Sequence, residues 1–156
     1  MGFLEYIVEN KAAICNLEVD NWEDAIIKGG QMLIDKQAAK PEYLTTIIEK
    51  CKVNGPYIVI APGIAMPHAR PEEGALALGY GLVTLKNPVV FGDPDNDPIS
   101  LMLYIAAPDV KAHNEEAITQ IAELCDDEPT IEKILAADDV EEIYTLLDGL
   151  EYDDEF

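Results

Sequence analysis

A single α/β domain, with a mixed β-sheet held between helical layers, is the fold that this sequence predicts. Three observations carry the prediction. Helix-period patterns occupy both ends of the chain, whereas β-branched and continuous apolar runs fill the middle, between about residues 57 and 106. The run Ile99–Ala106 is nearly all apolar, as a central strand covered on both faces must be. And the 156 residues, 49% apolar and 26% charged, hold no repeat and no linker long enough to divide them.

The stretch up to about Asn16 has no decisive period, although ICNLEV at 14–19 suits a short strand. A helix follows from Trp22 to about Gln37, N-capped by Asp20 or Asn21, with Trp22, Ala25, Ile26, Met32 and Leu33 on its apolar face. Gly29 and Gly30 weaken it, at about 1 kcal/mol each relative to alanine. A second helix starts at Pro41, an acceptable first-turn residue, and runs to about Cys51, before Asn54-Gly55-Pro56 stops it.

The β-branched run Tyr57–Ala61 reads as a strand closed by Pro62-Gly63, and Ala65–His68 as extended chain ahead of prolines. Leu76–Leu85 alternates loosely and reads as a strand, and residues 87–98, NPVVFGDPDNDP, as a turn-rich loop around a short Val89–Phe91 strand. Helices return with Asn114–Cys125, Pro129–Leu135 and Val140–Leu147, the last capped by Asp138 or Asp139. The domain is expected to span 1–150, with 151–156 as an acidic tail that frays.

Charge narrows the function. Ten basic residues against 31 acidic ones leave a net −21, which disfavours nucleic acid and anionic membrane surfaces as partners. The imbalance concentrates late: 17 acids from Asp109 onward face only Lys111 and Lys133. That excess is either a solvated face or a field that steers a basic partner. No apolar run approaches the roughly 20 residues of a membrane span, and the start, MGFLEYIVENK, carries acids where a signal peptide carries lysines. A soluble, cytoplasmic protein is the expectation. Cys15, Cys51 and Cys125, without CxxC spacing, fit reduced thiols and not a disulfide frame or a zinc site.

The scarce residues are the informative ones. The chain has one arginine, Arg70, one serine, Ser100, and two histidines, His68 and His113, and no glycine-rich phosphate loop. His68 and Arg70 lie in PGIAMPHARPEEG, 62–74, where three prolines stiffen the chain. If a strand persists there, the two share one face, and an imidazole nucleophile beside a guanidinium suits phosphoryl chemistry. Taken alone, a histidine at a strand end is more often an ordinary surface residue. His113 follows the Ile99–Ala106 strand at a loop-to-helix junction, where α/β sheets collect their sites. If the two strands are neighbours, the histidines can meet at one sheet edge. A helix-cap histidine without a task, or a two-histidine metal site, stays open at this point.

The segment YIVIAPGIAMPHARPEEG, 57–74, resembles the active-site segment of the mannitol/fructose-type enzyme IIA domains of the bacterial sugar phosphotransferase system, whose hallmark is G-I-A-[apolar]-P-H. The likeness continues through the apolar strand, His113, LCDDEPTIEKIL and the last helix, and APGIAMPHARPE resembles the L-ascorbate branch in particular. The resemblance implies a mannitol-type enzyme IIA fold: a mixed sheet with helices on both faces. It implies that His68 accepts a phosphoryl group from the carrier HPr, as a tele-phosphohistidine, and passes it to a cysteine of enzyme IIB, which works with a membrane enzyme IIC. His113 then supports the phosphoryl group, and no cofactor or metal is needed. Mannitol-type members carry an arginine on the helix before the active-site strands, where this chain has Lys50, Cys51 and Lys52. Arg70, Lys50 and Lys52 are therefore the candidates for supporting the phosphate. A nitrogen-type regulatory paralogue, which signals by its phosphorylation state, is the competing reading.

Overall fold

The computed structural model describes residues 2–109 and 115–152. Helix α1 (Phe3–Asn10) precedes strand β1 (Ala13–Leu17), helices α2 (Trp22–Asp35) and α3 (Pro41–Asn54), and the short strands β2 (Val59–Ala61) and β3 (Ile64–Ala65). A 3-10 turn (Pro71–Glu73) leads to the long strands β4 (Gly79–Val89) and β5 (Ile99–Ala106) and then to helices α4 (Glu115–Asp126), α5 (Glu128–Ala136) and α6 (Val140–Asp148). The five strands form one mixed sheet, ordered β1-β4-β5-β3-β2. β4 and β5 are antiparallel, β1 runs parallel to β4, and β3 runs parallel to β5.

Alternation along β5 distributes its apolar side chains to two cores. Met102, Tyr104 and Ala106 pack with α2 and α3, whereas Leu101, Leu103 and Ile105 pack with α1, α4, α5 and α6. Both faces of the sheet are covered, which is why this strand carries no charge. All three cysteines are free thiols. Among the described residues no helix is long and apolar enough to cross a membrane.

Several boundaries differ from the sequence expectation for physical reasons. Helix α1 escapes pattern reading because it spans only eight residues and is capped from afar: the Gln120 side chain on α4 accepts from the Leu4 N–H at 2.9 Å. The strand expected from Leu76 begins at Gly79, because the Leu76 and Ala77 N–H groups both donate to the Ala38 carbonyl across a different connection. Val89, expected in a separate strand, ends β4, whose register shifts between Thr84 and Val89 and so accommodates Pro88. Gly29 and Gly30 stay inside α2 because larger residues would not fit. A Cβ on Gly30 would meet Leu44, and one on Gly29 would strike the Tyr104 hydroxyl, which donates to the Ala25 carbonyl at 2.8 Å. At the other end, the Tyr152 hydroxyl donates to Asp127 at 2.9 Å, so the chain still contacts the domain at that residue.

Candidate functional site

β3 is only two residues long, and the chain beyond it is an extended segment stapled in place by other elements. The Met66 N–H donates to the Ile58 carbonyl at 2.7 Å, and the Pro67 carbonyl accepts from the Ile105 N–H of β5 at 3.2 Å. The Tyr57 hydroxyl donates to the His68 carbonyl at 2.5 Å. The Tyr43 hydroxyl accepts from the Ala69 N–H at 3.0 Å and donates to the Ile105 carbonyl at 2.8 Å, tying helix α3, the segment and β5 at one point. The Arg70 N–H donates to the Glu73 carboxylate at 2.8 Å. Every residue from Met66 to Arg70 thus has a backbone group fixed, although no strand runs past Ala65. The prolines explain why: Pro67 and Pro71 lack the N–H groups a ladder needs.

The half-buried His68 ring lies within this frame. Its Nδ1 stands 2.6 Å from the Met66 carbonyl oxygen. A carbonyl can only accept, so in the neutral ring Nδ1 carries the proton and Nε2 the lone pair. The Tyr57 ring meets the imidazole at 80°, with centroids 5.4 Å apart. Burial pushes the Tyr57 phenol well above its usual range and the Tyr43 phenol up to about 12, so both remain donors.

Of the three candidate cations, Lys50 is the one joined to this frame. Its Nζ is 2.7 Å from Glu73 and 5.8 Å from the centroid of the Tyr57 ring. The Lys50 hydrogen bond holds the Glu73 carboxyl below its ordinary value. Arg70 holds the N-cap position of the 3-10 turn through its backbone, while its side chain is 75% exposed and 4.0 Å from Glu72. Lys52 stands 3.7 Å from Glu23 on α2. The strand on which His68 and Arg70 were to share a face ends at Ala65, so alternation does not relate them. The neighbouring of strands required for His113 does hold, since β3 and β5 pair in parallel, but His113 itself lies outside the described residues. Among the described residues, no three metal-ligating side chains gather.

Tyr43, Tyr57 and Glu73 are the residues that sequence reasoning passed over. Tyr43 and Lys50 are seven apart on α3 and so share a face, and Arg-Pro-Glu-Glu places a carboxylate three residues beyond a cap position. Those two signals were present. Nothing local marks Tyr57, which acts across eleven residues.

Known proteins resemble this chain over nearly all its length. The profile described as phosphoenolpyruvate-dependent sugar phosphotransferase system, EIIA 2, matches residues 6–149. The ascorbate-specific PTS system EIIA component of Escherichia coli K12 is 38% identical over 148 residues, 95% of this chain and 96% of that protein. The solution structure of the mannitol-specific cryptic phosphotransferase enzyme IIA CmtB from Escherichia coli superposes with a TM-score of 0.81 at 33% identity, covering 94% of this chain and 98% of that one. The enzyme IIA of the Escherichia coli mannitol IIA–phosphorylated IIB complex gives 0.75 at 25% identity, covering 90% and 96%.

Proposed function

Because the chain belongs to the EIIA 2 family of the phosphoenolpyruvate-dependent sugar phosphotransferase system, we propose that it is the phosphocarrier of an L-ascorbate uptake system, taking a phosphoryl group onto His68 from HPr and passing it to a cysteine of enzyme IIB. The sugar itself would be handled by a membrane enzyme IIC, with this protein in the cytoplasm. The observation that carries the reading is the 2.6 Å approach of His68 Nδ1 to the Met66 carbonyl, which in the neutral ring would leave the nucleophilic lone pair on Nε2.

The chemistry is two displacements at phosphorus. The Nε2 lone pair forms a bond to phosphorus while the bond to the donor breaks and its electrons leave with HPr. In the second step the enzyme IIB thiolate forms the P–S bond, the N–P bond breaks, and its electrons return to Nε2. Such transfers ask a protein for positioning and charge compensation, and the stapled segment supplies the first. Lys50 and Arg70 are the cations that would meet the phosphoryl oxygens, Arg70 through its bidentate fork and Lys50 as a point charge beside Tyr57. Lys52, paired with Glu23, contributes least. His113 is assigned the supporting hydrogen bond to the phosphoryl group. The acid-rich chain beyond Asp109 offers the field that a basic HPr surface would meet.

The test is incubation with phospho-HPr followed by addition of ascorbate-type and mannitol-type enzyme IIB. Transfer to the ascorbate-type protein is expected to dominate. Equal transfer to both, or none to either, would remove the assignment. A His113→Ala protein should still take up one phosphate but deliver it to enzyme IIB more slowly.

A further inference from the structure

Tyr57 is attached to His68 at both ends of that residue. Its hydroxyl donates to the His68 backbone carbonyl, and its ring crosses the imidazole nearly at right angles. The tyrosine is itself anchored, since its own N–H donates to the Gly55 carbonyl at 2.8 Å and it sits between α3 and β2. The contact between His68 Nδ1 and the Met66 carbonyl spans only two residues, so it survives only if the backbone at His68 and the ring's rotation are both held. A neutral imidazole released from that contact exchanges its proton between the two nitrogens. The alternative tautomer puts the lone pair on Nδ1, facing the Met66 oxygen, where it can neither bond nor attack.

We propose that Tyr57 is a positioning residue for His68, holding the imidazole in the Nδ1–H form whose Nε2 lone pair accepts the phosphoryl group. The proposal rests on the reading of His68 as the phosphoryl acceptor, yet the state of the ring can be read without any phosphoryl donor. Tyr57→Phe keeps the ring contact and removes the hydroxyl; Tyr57→Leu removes both.

The experiment is a long-range ¹H–¹⁵N spectrum of the ¹⁵N-labelled full chain at a pH where imidazole is neutral, with His68 assigned through a His68→Gln protein. In the wild type Nδ1 should show the shift of a protonated nitrogen and Nε2 that of an unprotonated one. In Tyr57→Leu both shifts should move toward intermediate values, with Tyr57→Phe in between. Phosphorylation by phospho-HPr should fall about tenfold in kcat for Tyr57→Leu and severalfold for Tyr57→Phe, with KM within about twofold, as expected of a residue that acts through His68. Should Tyr57→Leu fail to fold, the nitrogen shifts of Tyr57→Phe decide alone. Wild-type shifts in the folded variants would overturn the proposal. A change in shifts while wild-type His68 takes no phosphate would uphold Tyr57's positioning role and overturn the phosphocarrier reading instead.

Discussion

The Nδ1 of His68 lies 2.6 Å from the carbonyl oxygen of Met66, two residues back along the same extended segment. In the function proposed for the chain, this local contact gives the ring's two nitrogens different tasks: one holds the ring, and the other would be the nucleophile. It exists because the segment is too proline-rich to join a strand and is instead fastened by Tyr43, Tyr57, Ile58, Ile105 and Glu73. A pre-set nucleophile would suit the proposed relay between HPr and enzyme IIB, since no reorganisation would be needed at either encounter.

Tyr43 is the most heavily used of these fasteners. Tyr43→Phe preserves the ring but strips the hydroxyl that serves both the Ile105 carbonyl and the Ala69 N–H. Leaving buried backbone groups without their partner costs about 1–3 kcal/mol each, so the urea midpoint should drop clearly with an unchanged m-value. A midpoint equal to the wild type's would show that the hydroxyl holds nothing.

The three cations should separate in a phosphorylation assay. Losing a charged hydrogen bond to phosphate costs about 1.5–3 kcal/mol, or roughly ten- to a hundredfold if it is felt in the transition state. Arg70→Lys and Lys50→Met are expected to show such losses, and Lys52→Ala is expected to stay within about twofold. A crippled Lys52→Ala would redirect the search for the phosphate's counter-charge to the far side of α3.

The Lys50–Glu73 pair predicts a pH dependence. Glu73's folded-state pKa is lowered, chiefly by the Lys50 hydrogen bond, so the native state binds its proton less readily than the unfolded chain does. Its contribution is therefore complete above the ordinary glutamate value and is lost as pH falls through the depressed one. Thermal melts of wild type and Glu73→Gln should differ most near neutral pH and converge on acidification. A gap that widens in acid would contradict the pairing.

Gly29→Ala tests the close approach of α2 to β5. Alanine favours the helix by about 1 kcal/mol, yet its Cβ would collide with the Tyr104 hydroxyl, and such overpacking typically costs about 1–3 kcal/mol. Net destabilisation in chemical denaturation is expected, and a gain in stability would show that Tyr104 moves aside freely.

Much of this fold can be read in the sequence where a signal is local and long. The Ile99–Ala106 strand was expected with the bounds it has, and α2 begins at Trp22 with Asn21 accepting from the Asp24 N–H, as a cap residue should. Illegible features depend on distant partners. Helix α1 is capped by Gln120, 116 residues on, and Tyr57 has no meaning for His68 until β2 and β3 fold back on each other. His68 stood out because it follows a proline in a stiffened stretch, but alternation could not place Arg70, since the strand it presupposed stops at Ala65.

The most direct test of the account is to locate the phosphate after reaction with phospho-HPr. Heteronuclear NMR of the ¹⁵N-labelled protein should show one phosphoryl group, on Nε2 of His68, labile in acid and stable in base, and none in His68→Ala. A phosphate on Nδ1, or labelling that persists in His68→Ala, would contradict the claim that the Met66 carbonyl selects the nucleophile.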